Sequence, residues 1–216
     1  MLVPGSSRVR AVIFDLDEVL LAREAAWCYA VEQAVLTVSG ERVSAQPLAG
    51  EYRARPWRHV LSIVLPDSRQ VPVCERLCAE MFGRSAMKKL LVHEGIGVGL
   101  DALRGAWTEM GAISREPHGL ALKQVQSTGL DRFLAVLSPT PDGERWEPRE
   151  RFAECLRFLD YEPAQCAFVS ADGRDLGEVA ALGAECYEAA WASCEPTGYP
   201  ALITPDDLHA VIGTAR

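Results

Sequence analysis

The chain has 216 residues, 49% of them hydrophobic, enough to bury one good core and a small accessory module. Its formal net charge of -8 argues against nucleic acid or an anionic membrane surface as a partner, since both reward basic proteins. No apolar run approaches the roughly 20 residues that span a bilayer, MLVPGSSRVR lacks the apolar centre of a signal peptide, and a cytoplasmic location is the expectation.

The first predicted element lies in residues 11–20, AVIFDLDEVL. A continuous apolar run that ends in polar residues suits a central strand of a parallel sheet, and ligands of open α/β sheets gather at the carboxyl ends of such strands. Asp15 and Asp17 stand at that end. Residues two apart in a strand point to the same side, so a chain that stays extended through Asp17 turns both carboxylates toward one site. Two acids that close repel unless a cation or a shared proton intervenes. A divalent metal with oxygen ligands meets that need, and Mg²⁺ is the usual choice beside phosphate.

Residues 23–39 carry apolar side chains at helical spacing, with Gly40 as the stop. Beyond them, PWRHVLSIVL, VCERLCAEMFG and SAMKKLLVHEG read as helical or irregular, broken by Pro47, Pro56, Pro66, Pro72 and Gly83, and none alternates with period two. An insert of about seventy residues is too long for a simple crossover. Residues 23–93 are therefore expected to form a separate helical cap, with residues 1–22 and 94–216 making the core.

Within 95–110 a short helix leads back to a strand that ends at Ser114. Alternation then continues with a helix at 117–128 stopped by Gly129, a strand at 133–137, a helix at 148–159, a strand at 166–170, a helix at 175–182 and a short strand at 184–187. A terminal helix is expected, capped by Thr204 and with Pro205 in its first turn. The pattern predicts an α/β fold, a Rossmann-like parallel sheet wrapped by helices through right-handed crossovers, with the cap inserted after the first strand. Seven irregularly spaced cysteines read as reduced thiols. Cys74 and Cys78 share a helical face as packing residues, since no second His or Cys pair completes a zinc site. The four histidines fall in different segments and receive no role.

A strand with Asp-x-Asp, a helical insert, a strand ending in Ser and a strand followed by acids, in that order, resembles the capped phosphatases of the haloacid dehalogenase (HAD) superfamily, including its phosphoglucomutase-like branch. The likeness runs along nearly the whole chain. It implies an enzyme that hydrolyses the phosphate monoester of a small phosphorylated metabolite. By this resemblance Asp15 is the nucleophile that forms an aspartyl phosphate, and Asp17 is the acid that protonates the leaving oxygen and then activates water. Ser114 and nearby backbone N–H groups hold the phosphoryl group. Mg²⁺ is bound by the Asp15 carboxylate and the backbone oxygen of Asp17, with Asp172 and Asp175 as the remaining metal-side acids. In the cap, LAGEYRARPWRHVL resembles the family's substrate-contacting loop, with Arg53 as the contact and Arg55 and Arg58 beside it. The presence of Asp17 favours phosphoryl chemistry over dehalogenation.

Two motifs depart from the family. Where a Lys before Pro usually neutralises the nucleophile, RWEPRERF places Glu147, leaving Arg145, Arg149 and Lys123 as candidates for the cation. Where Gly-Asp is usual, FVSADGRDLGEVAALG has Ser170-Ala171, with Asp175 keeping the later acid and Asp172 one position late. Glu18 replaces the small residue common after the second Asp. These departures keep a second reading open, a HAD-fold protein with little or no catalysis that serves a binding or regulatory role. A mutase would use the same acids as a hydrolase.

Overall fold

In the computed structural model, which describes residues 9–51, 57–193 and 195–212, the first apolar run becomes β1 (Ala11–Asp15), all five residues of which are buried. The chain leaves it through a turn of π-helix at Leu16–Leu20 and a two-residue strand, β2 (Leu21–Ala22). A helical segment follows, with α1 (Glu24–Ser39), α2 (Trp57–Val64) and α3 (Val71–Phe82), before the chain returns through β3 (Leu91–Val92), which pairs with β2.

The alternating part then runs α4 (Ile96–Gly105), β4 (Glu109–Ser114), α5 (His118–Thr128), β5 (Val136–Pro139), α6 (Pro148–Leu159), β6 (Cys166–Ser170), α7 (Gly173–Ala180), β7 (Glu185–Ala189) and β8 (Ala201–Leu202). The chain closes with a 3-10 helix at Pro205–Ile212. Two compact units result, residues 1–21 with 92–216 and residues 22–91.

The six strands of the main sheet are ordered β5-β4-β1-β6-β7-β8, and the pairings are parallel. Successive crossovers run from β1 through β4 to β5 on one side and through β6 to β8 on the other. The strand order therefore reverses at β1, and its carboxyl end opens at the switch point where α/β sheets bind ligands. Register fixes what meets there, with Asp15 opposite Ile113 and Phe14 opposite both Ala112 and Val169. The ends of β1, β4 and β6 thus lie side by side.

One face of this sheet packs on α6 and α7. Ile13, Ile113, Phe152, Phe168, Leu176 and Val179 form a continuous core there, with the Phe152 and Phe168 rings edge to face at 5.7 Å. Gly111 allows close packing inside the sheet, since a Cβ at that position would lie 2.6 Å from Val136 Cγ1 and 2.9 Å from Ile13 Cδ1. Residues 22–91 have a core of their own, where α1 packs on α3 and Trp57 lies between Trp27 at 5.8 Å and Phe82 at 6.1 Å. Gly40 ends α1 at φ 76°, a left-handed conformation that glycine adopts without strain. The six described cysteines are free and buried, Cys74 and Cys78 among them. Among the described residues no helix is long and apolar enough to cross a membrane.

Several boundaries differ from the pattern-based expectation. The strand expected at 133–137 begins at Val136, because Leu130–Arg132 forms a 3-10 turn that buries Leu130 and Phe133 first. Helix α7 starts at Gly173 rather than Asp175, since the Asp172 side chain accepts hydrogen bonds from Arg174 N and Asp175 N and so nucleates the first turn early. The terminal helix is a 3-10 helix. It is steadied by Asp207, whose carboxylate accepts from the N–H groups of Ile203 and Thr204, rather than by a Thr204 cap.

Candidate active site

Asp15 ends β1 and turns the chain at the same time. One of its oxygens, Oδ1, accepts hydrogen bonds from Asp17 N at 3.0 Å and Glu18 N at 3.3 Å, the geometry of an N-cap. Leu16, Val19 and Leu20 are fully buried by the turn that results. The extended path expected through Asp17 is therefore replaced by a π-helical turn, which competes successfully because it satisfies both the backbone donors and the apolar residues. Two further contacts pin this turn. The Trp191 indole donates to Val19 O at 3.1 Å, and His93 Nε2 lies 3.0 Å from Glu18 O.

Asp17 reaches the site from the turn rather than along the strand. Its carboxylate accepts hydrogen bonds from the Ser114 hydroxyl at 3.0 Å and from the backbone N–H of Arg115 at 2.6 Å. Asp15, Asp17 and Ser114 are all buried and adjacent, so the structure brings together three of the residues singled out from sequence.

The fourth participant is Arg115, which sequence reasoning passed over. Its Nη1 donates to Asp15 Oδ2 at 2.8 Å and its Nη2 to Asp175 Oδ2 at 2.6 Å. Asp172 and Glu18 lie further out, at 3.8 and 3.9 Å. The indole of Trp146 covers the guanidinium, with Cζ 4.6 Å from the ring centroid, and its Nε1 donates to Asp175 Oδ2 at 3.0 Å. The only sequence signal for Arg115 was its place immediately after Ser114. An arginine one residue past a strand is ordinarily a solvated loop charge, and its reach across the ends of β1 and β6 depends on strand order, which local pattern does not encode.

The stretch expected to supply a cation supplies that aromatic cover instead. Arg145, Glu147 and Arg149 are exposed, as is Lys123 on α5. Arg58 is exposed and pairs with Glu75 at 3.3 Å. Arg53 and Arg55 lie outside the described residues.

Burial and mutual repulsion set the acidities. Asp15 is pushed up by burial, opposed by Arg115 and reinforced by Asp17. Asp175 is raised to about 6, by burial first, against the pull of Arg115 and with help from Asp15 and Asp172. For Arg115 burial works against the charge, but Asp15, Glu18, Asp175 and Asp17 outweigh it and hold the guanidinium protonated well above its ordinary range.

The donor set fits Mg²⁺ poorly. That ion demands near-octahedral oxygens, commonly two carboxylates and several waters. Here the facing oxygens of Asp15 and Asp175 already accept from one guanidinium. Asp172 Oδ1 is committed to the cap of α7, Ala171 has no side-chain donor, and Ser170 Oγ accepts from Asp172 N. Among the described residues no group of three His, Cys, Asp or Glu side chains is arranged to hold a metal ion.

No protein-family model and no curated protein matches the sequence, whereas the fold has many solved counterparts. A HAD-superfamily hydrolase of subfamily IA, variant 1, from Geobacter sulfurreducens superposes with a TM-score of 0.79 at 17% identity, over 98% of this chain and all of the other. A β-phosphoglucomutase candidate from Thermotoga maritima gives 0.75 at 19% identity, over 94% of this chain and 98% of the other. CbbY from Rhodobacter sphaeroides, solved with phosphate, gives 0.67 at 14% identity, over 93% and 96%. With its parallel sheet, its helical insert after the first strand and two acids at the switch point, this chain has the fold of the HAD-superfamily phosphatases and phosphoglucomutases.

Proposed function

We propose that this protein hydrolyses the phosphate monoester of a small phosphorylated metabolite, with Asp15 as nucleophile and Asp17 as acid and base. The observation that carries the reading is the ion pair between Arg115 and Asp15 at 2.8 Å. The motif that normally neutralises the nucleophile has Glu147 in the cation's place, and Arg115 brings a positive charge to the same carboxylate from β4. Phosphoryl transfer depends mainly on positioning and charge neutralisation, and a guanidinium suits phosphate oxygens. The solved counterparts support the substrate class, one of them being in complex with phosphate and another form of it with xylulose 1,5-bisphosphate.

In the proposed reaction an Asp15 oxygen attacks phosphorus and the ester P–O bond breaks. The departing oxygen keeps the bonding pair and takes a proton from Asp17. Water then attacks the aspartyl phosphate, giving its proton to Asp17, and the bond between phosphorus and Asp15 breaks to release inorganic phosphate. Arg115 lies beside the oxygens that gain charge, and the Ser114 hydroxyl is the neutral donor next to them.

One observation favours a binding role without turnover. Ser114 Oγ and Arg115 N, the donors a phosphoryl group would need, are both spent on Asp17. Phosphate release from sugar phosphates, phosphoglycolate and an aryl phosphate, compared with an Asp15→Asn protein, separates the two readings. Release well above that variant is expected, and release no greater than the variant's across the panel would leave only the binding role.

A further inference from the structure

The centre of the carboxylate cluster is filled by a side chain. Asp15 and Asp175 are both buried, they approach from the ends of β1 and the start of α7, and each aims Oδ2 at a different nitrogen of the Arg115 guanidinium. A small divalent cation that used these oxygens would sit where the guanidinium now sits, and two cations cannot share so short a span without strong repulsion.

Three features make the arrangement specific to a planar organic cation. The fork of two nitrogens matches two carboxylates on different elements, which a single spherical ion would have to draw to about 2 Å on every side. The Arg115 Cζ lies over the Trp146 ring, an aromatic surface that favours a weakly hydrated cation and offers nothing to the waters that Mg²⁺ keeps. The same indole donates its N–H to Asp175 Oδ2, so that oxygen already has two protein donors, at 2.6 and 3.0 Å. The backbone N–H of Arg115 is in turn anchored on Asp17, which fixes the residue at both its main chain and its side chain.

We infer that Arg115 is the resident cation of this site, replacing the divalent metal that a carboxylate pair at this position otherwise calls for, so that the protein handles phosphate without Mg²⁺. The phosphate half of this inference rests on the function proposed above, whereas the metal half stands on the geometry alone.

Isothermal titration of the full chain with MgCl₂ tests the metal half. The wild-type protein should give no saturable heat at millimolar Mg²⁺, and Arg115→Ala, which frees both Oδ2 atoms, should gain Mg²⁺ affinity by about tenfold or more. Saturable Mg²⁺ binding by the wild type that disappears in Asp15→Asn would overturn the inference. So would a folded Arg115→Ala protein that still ignores Mg²⁺. If that variant does not fold, the wild-type titration alone still decides. The phosphate half predicts equal phosphate release from the substrate panel in EDTA and in Mg²⁺, and release abolished by EDTA and restored by Mg²⁺ would overturn it. Absence of release in every condition would defeat the hydrolase reading and leave the calorimetric result to stand on its own.

Discussion

The Arg115 Cζ lies over the Trp146 ring at 4.6 Å from its centroid, and the indole and the guanidinium share a single carboxylate oxygen, Asp175 Oδ2, as hydrogen-bond acceptor. A loop residue before α6 and the residue after β4 are thereby locked to α7. The contact has two separable parts. Trp146→Phe keeps an aromatic face and loses the N–H, and Trp146→Leu loses both. Urea denaturation should show losses of about 1 kcal/mol for the first and about 2 kcal/mol for the second, the range of a hydrogen bond to a charged group plus a partly shielded cation–π contact.

Arg115 is the larger anchor. Removing one partner of a buried ion pair leaves the other charges uncompensated, which costs about 3–5 kcal/mol. Arg115→Met should approach that loss in equilibrium unfolding. Arg115→Lys should recover part of it, since one ammonium can serve Asp15 or Asp175 but lacks the rigid fork that serves both.

The acidity of Asp175 gives a pH signature. Its folded value, about 6, exceeds the ordinary 3.8, so between these limits the folded state holds more protons than the unfolded chain. Stability contributed by this group is fully present below about pH 4 and is lost as pH rises through about 6. Asp15 shifts in the same direction. Urea midpoints measured from pH 4 to pH 7 should therefore fall more steeply for the wild type than for Asp175→Asn. An equal or shallower fall would contradict the assigned shift.

A fourth prediction concerns packing far from these charges. A Cβ on Gly99 of α4 would lie 2.4 Å from Pro205 O and 2.7 Å from Leu208 Cδ1, and the carbonyl belongs to backbone that cannot rotate away. Gly99→Ala should cost about 1–3 kcal/mol through overpacking, read as a lowered thermal midpoint. Gly97, on the same helix with nothing within 4 Å, should accept alanine without loss.

The strands and helices that repeat one local pattern were legible from sequence. Helix α6 and strand β6 fall at the residues expected, because Pro148 marks a helix start and CAFVS is a short apolar run bounded by polar residues. Less visible was anything decided by competition between local groups. Asp15 reads as a strand residue, yet its carboxylate caps the next turn, and Asp172 does the same for α7. Sequence placed Asp15, Asp17 and Ser114 at strand ends but looked for the cation at Arg145, Arg149 or Lys123. The charge arrives instead from β4, two strands from β6 in the sheet order, and only the tertiary arrangement joins Arg115 to Asp175.

The exposed loop at residues 141–145 gains a practical freedom from this arrangement. Gly143 turns it at φ 78°, and the charge balance of the acids is carried by a neighbour of Ser114. The loop is therefore a place to attach a fluorophore through an introduced cysteine, next to an intrinsic reporter. Such a label would sit a few residues from Trp146, and with Cys194, which lies outside the described residues, replaced by serine, the remaining native thiols are all buried, so the chemistry would select the new one.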